Sequence, residues 1–265
     1  MDMLLDIGNR RIKWARSDDV QKWLAGDGST SSQDGGCNVI HFSRGNLLSE
    51  FSRQFRNIPR PEAIWASSVG GPGAVSEIQA ASRELWGIEP NFASSSRRHG
   101  GMVNGYDQPQ QLGVDRWLAM IGARRYVPDR AILVIDAGTA ITIDHVDSTG
   151  FFGGGIIVPG LITMMDSLHQ AAGLVNVRPD LKDNHRFVLQ NPDTESAILN
   201  GALHAMTASV AGAVAHYREP ADEDPVVVVT GGDASLLKRF SQIRMREIPG
   251  LVLSGLYIVS RESAC

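Results

Sequence analysis

Short apolar runs separated by polar turns dominate the beginning of the chain. Residues 3–5 are apolar, residues 6–9 form a polar turn, and residues 10–15 alternate, with Ile12 and Trp14 at apolar positions. A period of two is typical of a half-buried strand, and a glycine between two such runs favours a turn. The pattern therefore predicts a strand, a turn and a second strand.

The same pattern returns in the second half of the chain. Residues 131–135 form a continuous apolar run, residues 136–139 form a turn, and residues 140–146 predict a further strand. Additional strands are predicted at residues 62–69, 150–159 and 225–229, and helices at residues 74–86 and 110–126, from 161 and from about 192. Gly87 is a natural end for the first of these helices, and Pro128 follows the second. Strands that alternate with helices predict an α/β fold.

Three stretches stand apart from this alternation. Residues 26–36 are rich in glycine and serine and predict an exposed loop, and residues 173–190 predict an irregular segment. Residues 196–216 are long and apolar enough for a membrane check, but they include two histidines, an asparagine and several hydroxyl groups. Spanning helices rarely tolerate so many polar side chains, so we expect a buried helix at this position.

Composition narrows the class of protein. The chain has 265 residues, 43% of them hydrophobic and 20% charged, which is ordinary for one or two soluble globular domains. The formal net charge of −4 gives no electrostatic footprint for nucleic acid. Two cysteines are too few for a disulfide scaffold, so a reducing cytosol is expected. The first residues have no basic region followed by a long apolar run, and no secretory signal is expected.

Two segments share one local pattern, in which Asp-x-Gly and then Asn or Thr end an apolar run and precede another strand. The first covers residues 4–9 and the second residues 134–139, about half the chain apart. The triplet alone carries no weight, because chance also produces it, as at Asp34 in the glycine-rich loop. The shared context of strand, turn and strand predicts an internal duplication.

Turns of this kind suit a nucleoside triphosphate. Glycine lets the backbone approach the phosphates, exposed N–H groups donate to anionic oxygens, and a carboxylate such as Asp6 binds Mg²⁺, usually through water. Lys13 has two open interpretations, a phosphate ligand or a solvated strand lysine. Its odd spacing from Asp6 places it on the opposite face of the sheet unless the hairpin bend intervenes.

Three other motifs each allow two interpretations. Gly231 and Gly232 follow four valines and suit a ribose or a flat ring. Taken alone, this motif favours an ordinary turn with Asp233 as helix N-cap, and together with the two Asp turns it favours an adenosine site. Asp115 lies near a predicted helix start, where the dipole favours an acid with or without a catalytic role. Thr194 fits a helix cap as well as a ligand contact.

Several enzyme classes lack their motifs in this sequence. The seven histidines show no i,i+4 pair, which argues against a zinc site. The sequence contains neither a Gly-x-Ser-x-Gly elbow nor a Gly-Lys-Ser/Thr motif, which argues against a serine hydrolase and a P-loop enzyme.

Taken together, these motifs resemble the type III pantothenate kinases, a family that includes the Bvg accessory factor proteins. The resemblance covers nearly the whole chain in order, through residues 6–13, 105–109, 113–116, 136–144, 153–160, 194 and 230–234. It implies an α/β actin-like ATPase (ASKHA) architecture of two duplicated ribonuclease-H-like halves with an ATP cleft between them. Residues 1–112 would carry the first phosphate turn, and residues 113–265 the second phosphate turn and the adenosine turn.

The resemblance also implies a role for each matching residue. ATP and its phosphates are expected to contact Asp6, Ile7, Gly8, Asn9, Arg10, Arg11, Ile12, Lys13 and Thr139. Pantothenate is expected to contact Tyr106, Gly113, Val114, Asp115, Arg116 and Thr194, the last from a partner subunit. Asp115 is the expected general base, Arg116 suits the substrate carboxylate, and Asp136 is expected to hold the monovalent cation.

The implied activity is ATP-dependent phosphorylation of pantothenate to 4'-phosphopantothenate, the first step of coenzyme A biosynthesis. The implied enzyme is a cytoplasmic homodimer that requires Mg²⁺ and potassium or ammonium, with no nucleic acid or membrane partner. One residue departs from the family pattern, because Arg10 stands where Ser or Thr is usual. Two alternatives therefore stay open: a regulatory accessory protein that binds nucleotide without kinase activity, and an actin-like kinase that acts on a sugar.

Overall fold

The computed structural model describes residues 1–9, 11–26, 37–43, 45–173, 175, 186–218 and 224–262. Arg10, most of the predicted loop at residues 26–36 and part of the segment 173–190 lie outside the described residues. The chain divides into two compact units. Unit 1 contains Met1–Asp129, Val146–Gly153 and Ile248–Cys265, and unit 2 contains Arg130–His145 and Gly154–Glu247. The division at residues 112 and 113 stays a prediction.

Strands and helices alternate along the described chain, as the sequence predicts for an α/β protein. The strands are β1 (Met3–Ile7), β2 (Arg11–Arg16), β3 (Asn38–His41), β4 (Ile64–Ser68), β5 (Asn91–Phe92), β6 (Arg98–His99), β7 (Met102–Asn104), β8 (Ile132–Ala137), β9 (Ala140–Val146), β10 (Phe151–Pro159), β11 (Val226–Thr230) and β12 (Arg246–Glu247). The helices are α1 (Ser17–Ala25), α2 (Leu47–Phe55), α3 (Gly71–Trp86), α4 (Val114–Tyr126), α5 (Leu161–Ala172), α6 (Thr194–Arg218), α7 (Ala234–Phe240) and α8 (Leu251–Glu262).

The main sheet of unit 1 has the order β3-β2-β1-β4-β5. β2 is antiparallel to both of its neighbours, whereas β1, β4 and β5 are parallel. Every apolar residue of β1 is buried, as expected for a strand in the middle of a covered sheet. One side of the sheet packs on an aromatic core in which Phe55 contacts Trp14, Phe51 and Trp86.

Two helices of unit 1 cross at very short range. A Cβ on Gly255 of α8 would lie 2.0 Å from the Leu118 carbonyl oxygen of α4. A Cβ on Gly122 of α4 would lie 2.4 Å from the Leu251 carbonyl oxygen. The backbones can approach this closely only because both residues lack a side chain. This crossing fixes α4, whose first turn carries Asp115.

The strands of unit 2 follow the order β12-β11-β8-β9-β10, in which β12, β11 and β8 are parallel. Thr230, the last residue of β11, is in register with Asp136 on β8. The carboxyl ends of these strands therefore meet at one edge, where α/β sheets commonly bind ligands. In this part of the chain α5, α6 and α7 contribute to a common apolar core with β8, β9 and β11.

Helix α6 is long and apolar enough to cross a membrane by length and composition. In the structure, one of its faces lies in the unit 2 core, where Ile198, Leu203, Met206 and Val210 are buried. The core helix of a globular protein passes the same compositional test, and α6 has that position here.

The structure corrects several element bounds. Asp6 and Asp136 belong to β1 and β8, so the turns that come after them are shorter than predicted. α3 begins at Gly71 rather than at residue 74, because a glycine and proline start is compatible with a first helical turn. α4 begins at Val114, after a short 3-10 helix at Pro109–Gln111. The pattern gave no prediction for α1, α2, β3 or α8, three of which are shorter than ten residues.

Candidate active site

The first predicted phosphate turn is a tight hairpin between β1 and β2 in unit 1. The Gly8 N–H donates to the Arg11 carbonyl oxygen at 3.0 Å, and a Cβ on Gly8 would lie 3.3 Å from that oxygen. Asn9, at the tip, is exposed. Among the described residues of the turn, Gly8 has no side chain and Asn9 lies at the surface.

The hairpin register settles the position of Lys13. Asp6 is directly opposite Lys13 on β2 and opposite Ser67 on β4. Residues opposite each other on neighbouring strands share one face, so the hairpin bend does intervene and brings Lys13 to the face of Asp6. The Ser67 hydroxyl donates to Asp6 Oδ1 at 2.9 Å. An acid, a lysine and a serine thus share one face beside the turn.

A cleft of about 300 Å³ lies beside this hairpin. Its walls include Gly8, Asn9, Ser43 and the glycine-rich start of α3 at Gly70 and Gly73. The start of α3 has no side-chain cap, so its first N–H groups are not covered by a capping side chain. Main-chain N–H groups at such a position favour anionic ligands.

The second predicted turn lies in unit 2, between β8 and β9. The Gly138 N–H donates to the Ala140 carbonyl oxygen at 3.0 Å. The Thr139 carbonyl oxygen accepts hydrogen bonds from the Gly160 N–H at 2.9 Å and from the Thr163 hydroxyl at 2.6 Å. The start of α5 therefore holds the turn from one side, while Thr139 itself stays exposed.

The turn after β11 holds the same segment from another side. The Asp233 N–H donates to the Ala137 carbonyl oxygen at 2.9 Å. Gly231 has φ +100°, and a Cβ there would lie 2.2 Å from that carbonyl oxygen and 2.5 Å from Asp136 Oδ1. Asp233 occupies the N-cap position of α7 without a side-chain capping bond, so the simple capping interpretation does not describe it.

Three aromatic and cationic side chains form a compact cluster in unit 1. The Arg116 guanidinium, on a residue only 7% exposed, donates from Nη1 to the Tyr106 hydroxyl at 3.2 Å. The Tyr106 ring stacks on the ring of Phe152 with centroids 5.6 Å apart. The guanidinium carbon of Arg116 lies 5.8 Å from the Phe152 ring centroid. A buried, oriented guanidinium of this kind suits a planar anion such as a carboxylate.

Asp115 lies in the first turn of α4, next to Arg116. Its Oδ1 accepts the Arg116 N–H at 2.8 Å, and the side chain is half-buried. A Cβ on Gly113 would lie 2.7 Å from the same oxygen. Glycine at position 113 therefore leaves the space that the carboxylate occupies. Val114, between Gly113 and Asp115, is half-buried. Unit 1 brings Tyr106 and residues 113–116 together, because Arg116 donates to the Tyr106 hydroxyl.

Thr194 does not cap α6. It is the first residue of the helix and is exposed, whereas Asp193 accepts the Ser196 N–H at 2.8 Å and the Ser196 hydroxyl at 2.9 Å. The hydrogen bond from the Ser196 N–H, followed by the one from its hydroxyl, lowers the pKa of Asp193 below its ordinary value. Thr194 is left with its side chain accessible, and its ligand role stays a prediction.

Sequence reasoning missed three residues that shape these sites, namely Ser67, Asn104 and Phe152. Asn104 is fully buried, and its Oδ1 accepts the Tyr106 N–H at 3.1 Å. A polar side chain at a buried strand position was the available signal for Ser67 and Asn104. Phe152 gave no such signal, because a phenylalanine in a strand is ordinary core.

A comparison with family models finds a match to the type III pantothenate kinase model over residues 3–216. Among curated relatives, the type III pantothenate kinase of Alcanivorax borkumensis is 35% identical and covers 97% of each chain. That of Azoarcus sp. is 33% identical and covers all of this chain and 92% of its own. That of Burkholderia vietnamiensis is 30% identical over 99% of this chain and 97% of its own.

Solved structures agree on the fold. A Campylobacter jejuni protein described as of the Baf transcriptional activator family has a TM-score of 0.58 at 18% identity, covering 99% of this chain and 100% of that one. A Sinorhizobium meliloti protein described as a 2-dehydro-3-deoxygalactonokinase has a TM-score of 0.54 at 13% identity, with 99% of both chains covered. At these identities the likeness concerns the fold alone.

Proposed function

The chain belongs to the type III pantothenate kinase family, and from that premise we propose how its own residues carry out the reaction. The activity is ATP-dependent phosphorylation of pantothenate, in the pathway to coenzyme A. The relatives that cover nearly the whole chain are kinases, so the accessory protein without kinase activity and the sugar kinase are not favoured. Substrate binding, proton transfer and charge neutralisation fall to different residues.

Pantothenate binds at Arg116 and Tyr106, the two polar members of the cluster that they form with Phe152. The observation that carries this assignment is the nearly buried Arg116 guanidinium, which is held by the Tyr106 hydroxyl at 3.2 Å. Pantothenate ends in a carboxylate, for which a fixed guanidinium is the preferred partner. Burial strengthens the interaction, because the surrounding medium screens the charges less than water does.

Asp115 acts as the general base. Its position in the first turn of α4 stabilises a negative charge, and its neighbour Arg116 anchors the substrate. The primary hydroxyl of pantothenate gives its proton to the Asp115 carboxylate as its oxygen forms a bond to the γ-phosphorus of ATP. The bond from that phosphorus to the bridging oxygen breaks, and ADP leaves with the electron pair.

The two phosphate turns bind ATP through main-chain groups and through Asp6, Ile7, Gly8, Asn9, Arg10, Arg11, Ile12, Lys13 and Thr139. Lys13 offsets phosphate charge and Asp6 holds a cation, and their position opposite each other on β1 and β2 supports this assignment. The residues fit Mg²⁺, which uses one or two carboxylates and otherwise phosphate oxygens and waters. Bound Mg²⁺ neutralises the charge that develops on the phosphates.

Asp136 holds the monovalent cation in unit 2. It is half-buried at the end of β8, and its Oδ1 lies close to Gly231, where a Cβ would approach to 2.5 Å. A carboxylate oxygen beside a turn of this kind suits potassium or ammonium. Potassium carries no redox chemistry, and its contribution when bound is positive charge near the phosphate region.

The enzyme works as a cytoplasmic homodimer, in which Thr194 reaches the substrate of the partner subunit, with no nucleic acid or membrane partner. Thr194 supports this assignment, since it is exposed at the start of α6 and Asp193 already caps that helix. Light scattering on the purified protein measures the assembly, and a monomeric enzyme with full activity would contradict it.

An ADP-release assay tests the proposal directly. Purified protein with ATP, Mg²⁺, potassium and pantothenate should release ADP, and omission of potassium should reduce the rate. Asp115→Asn should bind ATP nearly as well and turn over at least ~100-fold more slowly, the usual scale for loss of a general base. Single-turnover phosphorylation at a near-native rate by this variant would overturn the assignment of Asp115. Absence of pantothenate-dependent ADP release in the unaltered protein would overturn the function.

A further inference from the structure

Phe152 is a fully buried residue with no assigned part in substrate binding. It lies within β10, beside the chain that leads to Tyr106, and it contacts both polar members of the pantothenate cluster. Its ring is stacked on Tyr106 at an interplanar angle of 28°, and the guanidinium carbon of Arg116 lies 5.8 Å from its centroid. One aromatic ring thus touches both groups that are proposed to receive the substrate.

These contacts restrict the orientation of the two side chains. Stacking on a buried ring confines Tyr106 to a plane, so its hydroxyl stays on the side where Arg116 donates to it. A guanidinium within about 6 Å of a ring centroid is attracted by the ring, and the attraction grows when the pair is desolvated. Phe152 therefore covers one side of the Arg116 guanidinium and keeps the guanidinium in one orientation for binding the substrate.

The main chain fixes Phe152 relative to the tyrosine loop. The Gly105 N–H donates to the Phe152 carbonyl oxygen at 2.8 Å, and a Cβ on Gly105 would lie 2.5 Å from that oxygen. In addition, Phe152 is in register with Asn104, whose side chain accepts the Tyr106 N–H at 3.1 Å and donates to the Pro109 carbonyl oxygen at 3.1 Å. The distance from the ring to the Tyr106 loop is therefore set by backbone hydrogen bonds.

We propose that Phe152 is a positioning residue that orients Arg116 and Tyr106 for the carboxylate end of pantothenate. The inference rests on the proposed role of Arg116 and extends it, because it names the ring that holds the Arg116 guanidinium in the orientation that binds a carboxylate. Loss of the aromatic ring should weaken recognition of the carboxylate and leave the phosphoryl transfer step and ATP binding unchanged.

Phe152→Leu keeps an apolar side chain and removes the ring face. Its KM for pantothenate should rise about tenfold, the size expected for loss of a buried cation–aromatic contact and a ring stack, while kcat and the KM for ATP stay within about twofold. Phe55→Leu is the matched control, since Phe55 is also fully buried and contacts aromatic rings, edge-on or tilted, far from this cluster in sequence. It should lower thermal stability and leave the KM for pantothenate unchanged.

A substrate analogue separates positioning from a general loss of structure. In this analogue the carboxylate of pantothenate is replaced by a primary alcohol. The KM of the analogue should be the same for Phe152→Leu and the unaltered enzyme, since neither can use a carboxylate contact. Equal increases for pantothenate and the analogue, or an equal effect of Phe55→Leu, would overturn the inference. If Phe152→Leu does not fold, Phe152→Met takes its place, because its unbranched, flexible side chain also lacks a ring and adapts to an irregular space.

Arg116→Gln distinguishes failure of this inference from failure of the assigned carboxylate contact. Arg116→Gln should have similar KM values for pantothenate and for the alcohol analogue. If it does, and Phe152→Leu prefers pantothenate as strongly as the unaltered enzyme does, then Arg116 binds the carboxylate and Phe152 does not position it. If Arg116→Gln raises both KM values equally, the carboxylate contact itself is wrong, and the inference falls with it.

Discussion

Glycine at position 113 shows how a single missing side chain shapes the proposed catalytic group. The Asp115 carboxylate oxygen lies where a side chain at position 113 would approach to 2.7 Å, and the same oxygen accepts the Arg116 N–H. Gly113 has φ −53°, a value open to any residue, so the requirement is for space and not for backbone conformation. The position of the Asp115 carboxylate therefore depends on the absence of a side chain at position 113.

Gly113→Ala should therefore displace the Asp115 carboxylate and lower kcat at least about tenfold, since a misplacement of about 1 Å at a reacting group has large effects. The KM for ATP should not change. In an Asp115→Asn background the additional alanine should have little further effect on kcat, because the displaced group is already inactive. Independent, multiplicative losses in the double variant would show that Gly113 acts in some other way.

Gly160 belongs to the same class of residue, at the second phosphate turn. A Cβ at this position would lie 1.9 Å from the Gly138 carbonyl oxygen, and backbone atoms cannot move away as a flexible side chain can. Gly160→Ala should shift the turn that presents Thr139 and raise the KM for ATP about tenfold, corresponding to overpacking by one methyl group. The KM for pantothenate is the internal control and should stay constant. Steady-state kinetics with each substrate varied in turn measures both values.

At the scale of elements, the crossing of α4 and α8 determines where the pantothenate residues lie. Gly122 and Gly255 allow the backbones to touch, and α4 begins with the segment that carries Asp115 and Arg116. The helix that presents the substrate side chains is therefore supported by the last described helix of the chain. Hydrophobic periodicity within α4 indicates a buried helix but cannot indicate a partner so distant in sequence.

Gly255→Ala should separate the two helices and destabilise the protein by about 2 kcal/mol, within the range for overpacked cores. Gly212→Ala in α6 is the control, because a Cβ there meets no atom within 4 Å and alanine favours a helix. Urea unfolding should place the Gly255→Ala midpoint below that of the unaltered protein, and the control midpoint at or above it. Equal midpoints for the two variants would mean that the crossing tolerates a side chain.

At the scale of the whole molecule, the sequence predicts the class of fold and the approximate location of the motifs. Apolar runs and alternating patterns bounded by polar turns locate β1, β2, β8, β9 and β11, because each strand has its own hydrophobic pattern in the local sequence. Family membership, and with it the kinase activity, is confirmed by relatives that cover nearly the full chain. The fold class and the family could be predicted because both depend on the order of strands and motifs along the chain, which can be read directly from the sequence.

What could not be predicted depends on pairing between distant segments. Lys13 shares a face with Asp6 only through the hairpin register, which a count along one strand does not include. Phe152 looks like ordinary core until β10 is paired with β7 and brings it to Tyr106. The sequence also contains no indication that unit 1 is built from separate segments, in which residues 248–262 return to it after the last segment of unit 2.

A truncation tests that return of the chain. A protein ending at residue 247 lacks α8, whose buried residues pack against α4, α1 and β1. It should show weakened secondary structure by circular dichroism and rapid proteolysis within residues 1–129. A protein ending at Glu262 keeps all of α8 and should melt like the 265-residue chain. Normal protease resistance of the shorter protein would mean that unit 1 is stable without its final helix.

Unit 1 is built from separate segments of the chain, and this has a consequence for its synthesis on the ribosome. All segments of unit 2 precede residue 248, so they leave the ribosome before the α8 segment of unit 1 does. Residues 1–129 emerge first, but the face of α4 that packs on α8 stays uncovered until residues 251–262 have also emerged. Slow translation of the segments between them would prolong the exposure of that apolar face, which is the kind of surface that chaperones bind.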